Sequence, residues 1–339
     1  MECFQGGKDL NGKRVTLQDI AEATGFTVNT VSRALKNKPD ISRETCAQIQ
    51  QVASEMGYVR NYMASSLRSG RTKTLAMIAG TMSNPYYALL ADEIQREASR
   101  LGYSLMILCS RENPETELQC VEMALSRLAD GVLLFPSSDA GASIDRLRAA
   151  NVPFVLMGRY MGPQYDSVTC DEEMGGYLAG KHLLEAGHKK IAMFASFNVA
   201  FSHEMRLKGF TRACREAGMA EDEILNRVCM DNDSMLDTLL TWRAQGVTGL
   251  FAFCDVEAWN AITLLENRGF RVPGDMSIVG FDNIQGMMNF PKPICSVDGD
   301  MREMARAGID LIRTRIHDAT LAPRNVTTPV SMVCRKSCH

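Results

Sequence analysis

A chain of 339 residues with 45% apolar side chains can fill the cores of two or three domains. No run of eighteen apolar residues occurs, which speaks against a helical membrane span, and the polar start MECFQGGKDLNGKR lacks the apolar stretch of a secretory signal. The net charge of −3 hides an asymmetry: residues 1–73 hold 11 Lys and Arg against 7 Asp and Glu, the remainder 26 against 33, so the surplus positive charge sits at the front of the chain.

In chain order, residues 1–13 read as a loose extension. Residues 17–23 form a predicted helix, with Leu17, Ile20 and Ala21 at helical spacing, Thr16 as its cap and Gly25 to end it. Thr27 then caps a second predicted helix over 28–35, with Val31, Ala34 and Leu35 turned inward. Val28, Asn29, Ser32 and Arg33 are left on the outer face near its start. A short helical pair with such a face has the geometry that enters a DNA major groove. The residue types suit base reading: Arg33 for guanine O6 and N7, Asn29 for adenine N6 and N7, Val28 for a thymine methyl. Thr16, Thr27, Ser32 and Ser42 are short hydroxyl residues placed to meet phosphate. Spacing alone leaves an ordinary helical hairpin with a solvated face equally open.

A third helix is predicted over 43–56, ending at Gly57, and a linker with one short amphipathic turn follows over 61–72. The runs T-x-x-D-I-A-x-x-x-G from Thr16, N-T-V-S-R-A-L from Asn29 and G-Y-x-x-N-x-x-A-x-x-L from Gly57 resemble the start of the lactose-repressor (LacI/GalR) family of bacterial transcription regulators. The likeness continues more loosely to the end of the chain. It implies a helix-turn-helix domain over 14–60 and a hinge over 61–72. In the family that hinge becomes helical only when two copies pair over operator DNA. Asn61, Ala64 and Leu67 would then meet the minor groove, Leu67 as the wedge that kinks the duplex; without the likeness, Leu67 is an ordinary linker residue. Arg60 stands where many members have proline.

From residue 74 onward apolar strands alternate with amphipathic helices, the pattern of parallel sheets covered by helices on both faces. About 265 residues exceed one comfortable core, so two α/β lobes are expected. The expected fold class is α/β: an all-α helix-turn-helix domain followed by a two-lobed, periplasmic-binding-protein-like (type I) effector domain over 73–339. The likeness implies three crossings between lobes, placed near 159–161, 285–291 and 318–322. The N-subdomain is thus about 73–159 with 291–318, and the C-subdomain about 160–290 with 319–339.

Ligands of such folds sit past the carboxyl ends of the strands, here between lobes. Tyr86 and Tyr87 follow the first strand and could stack on a sugar ring or base, or pack beneath their helix. Phe253 ends the strand over 249–253 and Asp255 follows it. The R-x-x-G-F sequence at Arg206 and the G-F-D-N sequence at Asp282 match the family's effector arginine and aspartate. Those two side chains could instead form an ion pair across the cleft. Cys254, Asn260, Gly158 and Asn232 depart from the family's residues, so no named effector carries over. Polar groups with one or two aromatics favour a sugar or sugar derivative.

The stretch Gly175–Lys181 spells G-x-x-x-x-G-K, but His182 follows where Ser or Thr is needed and no strand directly precedes it, so it reads as helix interior. The eleven cysteines are odd in number and scattered, which favours reduced thiols in the cytoplasm over disulfides or a zinc site. No nucleophile–base or metal constellation and no G-x-S-x-G is present, so neither an enzyme nor a cofactor is expected. A secreted sugar-transport protein shares the two-lobed body but needs a signal and no helix-turn-helix. The expected protein is a cytoplasmic regulator, probing a palindromic operator as a homodimer under control of a small molecule. No heptad segment follows the last strand, which favours a dimer over a tetramer.

Overall fold

The computed structural model describes residues 15–59, 70–138, 141–195, 200–289 and 292–338. The chain divides into a unit over Met1–Gly70 and a unit over Arg71–His339. The hinge residues Asn61, Ala64 and Leu67, the extension over 1–13 and part of the expected 285–291 crossing lie outside the described residues.

Among the described residues the first unit has three helices: α1 (Leu17–Thr24), α2 (Val28–Ala34) and α3 (Arg43–Glu55). Each starts on a hydroxyl cap, Thr16, Thr27 or Ser42, whose oxygen accepts the backbone N–H three residues on. Gly25 closes α1 at φ 74°, a conformation that side chains with a Cβ resist. Val15, Ile20, Ala21, Val31, Ala34, Cys46, Ile49 and Ala53 form its core.

The described residues of the second unit form two six-stranded sheets. The N-lobe sheet runs β11-β5-β4-β3-β1-β2 and is parallel throughout. Its strands are β1 (Thr74–Ala79), β2 (Ser104–Cys109), β3 (Gly131–Leu134), β4 (Phe154–Met157), β5 (Ser167–Cys170) and β11 (Asn325–Thr328). The C-lobe sheet runs β12-β10-β9-β8-β6-β7, with β12 alone antiparallel to its neighbour. It consists of β6 (Ile191–Ala195), β7 (Leu225–Val228), β8 (Gly249–Ala252), β9 (Ser277–Phe281), β10 (Cys295–Asp298) and β12 (Ser331–Val333). β1, β3, β6, β8 and β9 are almost wholly buried apolar runs, as parallel strands covered on both faces must be.

The helices of this unit are α4 (Pro85–Arg100), α5 (Pro114–Ser126), α6 (Ala142–Ala149), α7 (Glu172–Glu185), α8 (Ala200–Glu216), α9 (Asn232–Ala244), α10 (Asp255–Glu266) and α11 (Met301–His317). α7 absorbs the G-x-x-x-x-G-K stretch as helix interior. Its glycine lets α8 come close: a Cβ at Gly176 would stand 1.9 Å from the Arg206 carbonyl oxygen.

The sheets correct the expected lobe boundaries. β5 belongs to the N-lobe sheet, so the chain first crosses between Cys170 and α7, not at 159–161. β10 pairs with β9 in the C-lobe, and α11 packs on α4 and the N-lobe strands, so the second crossing is at Gly299 and Asp300. The third falls at Pro329 and Val330. The apolar-rich run over 326–334 divides into two strands in different sheets, because Pro329 has no N–H to continue a ladder. β5 was hidden by its composition. Its buried Ser167 is satisfied through Asn325 Oδ1 at 2.6 Å, so a polar residue sits in a core strand.

Candidate functional site

In the three-helix unit, Val28, Asn29 and Arg33 are exposed on one edge of α2, while Val31 and Ala34 face the core. Ser32 is half-buried. The hydroxyls of Thr16 and Ser42 donate to Asp19 Oδ2 and Thr45 Oγ1, both at 2.8 Å, and Thr27 shares a 2.9 Å hydroxyl contact with Thr30. These three side chains therefore serve the caps. Their helix starts still turn backbone N–H groups outward, the kind of donor that meets phosphate. Arg33 carries a partner that spacing did not suggest, an ion pair with Asp40 in the loop before α3. The guanidinium holds the Asp40 carboxyl below its usual range. Both side chains are 46% exposed, so water screens the pair and Arg33 can exchange Asp40 for another acceptor.

In the second unit, Asn84 caps α4 through the Tyr86 N–H at 3.1 Å, with Pro85 opening the helix. This sets Tyr86 and Tyr87 past the end of β1, their rings edge to face with centroids 5.4 Å apart. The Tyr86 hydroxyl points at Met304 Sδ, 3.8 Å away, and the Tyr87 hydroxyl donates to Glu112 at 3.0 Å. Opposite them, α8 presents Arg206, 5% exposed. Its Nε donates to Glu172 Oε2 at 2.6 Å and its Nη1 to the Phe253 carbonyl at 2.5 Å. The guanidinium lies over the Phe281 ring at 3.4 Å and the Phe253 ring at 4.4 Å, both favourable for a cation. Burial works against its charge, but Glu172 and Asp282 outweigh that and hold it protonated.

Asp282 ends β9 with φ 101°, and Asn283 follows at φ 49°. Two consecutive residues in this region are strained and persist only when their surroundings fix them. Asn283 provides this by donating to Asp298 Oδ2 at 2.8 Å and accepting from Arg335 at 2.5 Å. Burial pushes the Asp282 carboxyl well above its usual range, against the pull of Arg206.

Tyr86, Arg206, Asp282, Cys170 and Met304 line an interlobe cavity of about 10 Å³, room for about one water. Of the expected contacts, the structure thus gathers Tyr86, Arg206 and Asp282 at one cavity. Phe253 touches Arg206, and Tyr87 backs Tyr86. Asp255 is elsewhere: its carboxylate is fully buried inside the C-lobe, accepting from the Ile284 N–H at 2.8 Å and the Ser296 hydroxyl at 2.6 Å. Desolvation raises it to about 7. It locks the turn that carries Asp282 and does not face the cleft. The alternative weighed from the sequence, an Arg206–Asp282 ion pair, is not what forms: Arg206 pairs with Glu172. Glu172, which reads from the sequence with Glu173 as a solvated helix face, is instead buried at the start of α7 against Arg206. A wider cavity of about 470 Å³ lies at the other end of the N-lobe, but Asp166 and Arg315 in its wall are already paired at 2.8 Å. Asn232 and Asn260, two of the departures from the family, bond to each other at 2.7 Å.

Residues 16–61 match the profile of bacterial regulatory proteins, lacI family, and residues 181–338 that of a periplasmic binding protein-like domain. The HTH-type transcriptional regulator DegA of Bacillus subtilis is 31% identical over 333 residues, covering 96% of this chain and 98% of DegA. The HTH-type transcriptional repressor PurR of Haemophilus influenzae is 30% identical over 308 residues, 89% of this chain and 91% of PurR. Among solved structures, a complex of the transcriptional regulator CelR with cellobiose aligns with TM-score 0.70 at 28% identity, over 96% of this chain and 100% of that one. The lac repressor dimer bound to operator and the anti-inducer ONPF aligns with TM-score 0.81 at 23% identity, over 96% and 99%, and shares the fold. With its helix-turn-helix and two-lobed body in the same order as these regulators, the chain belongs to the LacI family of bacterial transcription regulators.

Proposed function

We propose that this regulator represses transcription in the cytoplasm by binding a near-palindromic operator as a homodimer, and that a sugar-like molecule entering the interlobe cleft sets the strength of that grip. The observation that carries the reading is the exposed edge of α2. Val28, Asn29 and Arg33 stand free of the core on a helix fixed by its own cap, with a bidentate donor and a base-reading amide side by side. Two copies would enter successive major grooves about one helical turn apart, with Asn61, Ala64 and Leu67 at the minor groove between them. Thr16, Thr27, Ser32 and Ser42 lie at or near the helix starts that would meet the flanking phosphates.

The cleft supports the second half of the proposal. A cavity of about 10 Å³ cannot hold a sugar, so a ligand must part the lobes and replace the Glu172 and Phe253 contacts of Arg206. Ligand occupancy is then linked to lobe arrangement by necessity. The coupling to operator affinity is worth about 1–3 kcal/mol and acts equally in both directions. Tyr86, Arg206 and Asp282 would meet ligand, Phe253 and Tyr87 would support them, and the cellobiose complex of CelR favours a carbohydrate. Hydroxyl-radical footprinting on duplexes from around the gene tests the DNA reading. Two protected patches one turn apart support it, and uniform protection overturns it. Calorimetric titration with neutral mono- and disaccharides tests the ligand class. The proposal requires heat from one sugar that Arg206→Lys weakens, and fails for sugars if none binds.

A further inference from the structure

At the end of the C-lobe sheet away from the cleft, three cysteines surround one histidine. Cys334 Sγ lies 3.9 Å from His182 Nδ1. Cys295 and Cys338 are also close enough to interact with that ring, and His188 reaches Cys338 as well. The Nε2 atoms of both histidines are buried and make no well-directed hydrogen bond. The 334–338 segment is sewn onto the sheet. Ser337 Oγ accepts the Cys295 N–H at 2.7 Å and its carbonyl accepts the Ile278 N–H at 2.8 Å.

The three thiols are not equivalent. Cys295 starts β10 and is pinned, its sulfur accepting the Arg335 N–H at 3.0 Å while the Arg335 side chain grips the Ile294 carbonyl and Asn283. Cys334 is exposed. Cys338 keeps a 7% exposed edge and interacts with both imidazoles. Only three residues separate Cys334 from Cys338, two of them in a turn, so closing a loop between them restricts little chain. Neighbouring histidines favour the thiolate of Cys338 over its thiol, whereas burial, the largest cause, pushes Cys120, Cys170, Cys214, Cys229 and Cys254 the other way.

We propose that this cluster is a thiol oxidation site, in which hydrogen peroxide joins Cys338 to Cys334 with His182 as the proton carrier. The Cys338 thiolate attacks one peroxide oxygen. An S–O bond forms, the O–O bond breaks, and the leaving hydroxide takes the His182 proton to become water. Cys334 gives its proton to the freed imidazole and attacks the Cys338 sulfur. The S–S bond forms, the S–O bond breaks, and the second hydroxide leaves as water with that proton. Two thiols are oxidised to one disulfide and one peroxide is reduced to two waters.

The reduced full chain should be titrated with hydrogen peroxide, alkylated and mapped by peptide mass spectrometry. A Cys334–Cys338 disulfide is expected before Cys109, a half-exposed thiol outside the cluster, is modified, and dithiothreitol should reverse it. Cys334→Ser should stop the reaction at a sulfenic acid on Cys338, trapped by dimedone. His182→Asn should slow disulfide formation by roughly tenfold or more with the urea midpoint unchanged; if that variant misfolds, the Cys334→Ser trap decides alone. Oxidation of Cys338 no faster than Cys109, or pairing of Cys338 with another cysteine, overturns the proposal.

Discussion

Val28, Asn29 and Arg33 stand on an exposed helix edge held by caps and a core local in sequence, whereas Arg206 and Asp282 lie buried among partners drawn from distant parts of the chain. Arg33 has a screened surface partner in Asp40; Arg206 has a dry one in Glu172 and two aromatic faces around it. A surface ion pair is worth little and can be exchanged at small cost. A buried one cannot lose a member without leaving an uncompensated charge. On the proposed function, the first region would suit scanning of many DNA sequences. On the same reading, the second would yield only to a ligand that replaces every contact it removes, which is a source of specificity.

The sharpest way to break this contrast is to remove the buried cation. Arg206→Ala should cost about 3–5 kcal/mol of stability in urea unfolding, with Glu172→Gln added to it recovering part of the loss. A loss below that of a surface substitution would mean the pair is not dry. The buried Asp255 offers a second, pH-based test. Its folded pKa of about 7 lies above the ordinary 3.8, so the folded chain keeps a proton that the unfolded chain has released. Its contribution is full below about pH 4 and lost as pH rises to about 7, at up to about 1.4 kcal/mol per pH unit. Asp255→Asn, which resembles the protonated acid, should flatten that fall when urea midpoints are compared across the range; an unaltered slope would assign it to other groups.

On the exposed side, Arg33→Ala should lose about 1–3 kcal/mol of discrimination at one base pair, measured by competition between operator variants. An equal loss on every sequence would make Arg33 a phosphate contact. The smallest effect belongs to Asp40→Asn. Freed of its exposed partner, Arg33 should bind operator modestly tighter by fluorescence anisotropy, with the melting temperature unchanged. A drop in stability would show that the pair holds the loop.

The same contrast explains what could be read from the residues alone. The caps at Thr16, Thr27 and Ser42, the glycine at 25 and the inward Val31 and Ala34 act within a few residues, so their spacing carried the local geometry. That Tyr86, Arg206 and Asp282 come together at one cavity was legible because strand ends and the family motifs mark them. Glu172 reads with Glu173 as a solvated acidic pair because its partner Arg206 lies 34 residues on; β5 looks like loop because its buried Ser167 and Thr169 are polar, and only Asn325, far along the chain, supplies Ser167 with a partner. Asp255 was misplaced because its position after β8 does not reveal that Ser296 and the Ile284 N–H, far along the chain, take up its carboxylate. Pro329 was the available sign that residues 326–334 divide between two sheets.

The account rests on the outer edge of α2 reading bases in a two-fold site, and selection from a random duplex pool with the full chain tests it directly. The account predicts enrichment of an inverted repeat, with Arg33→Ala relaxing the choice at one symmetric pair of positions. A selected pool indistinguishable from the starting one, with or without sugars present, would contradict it.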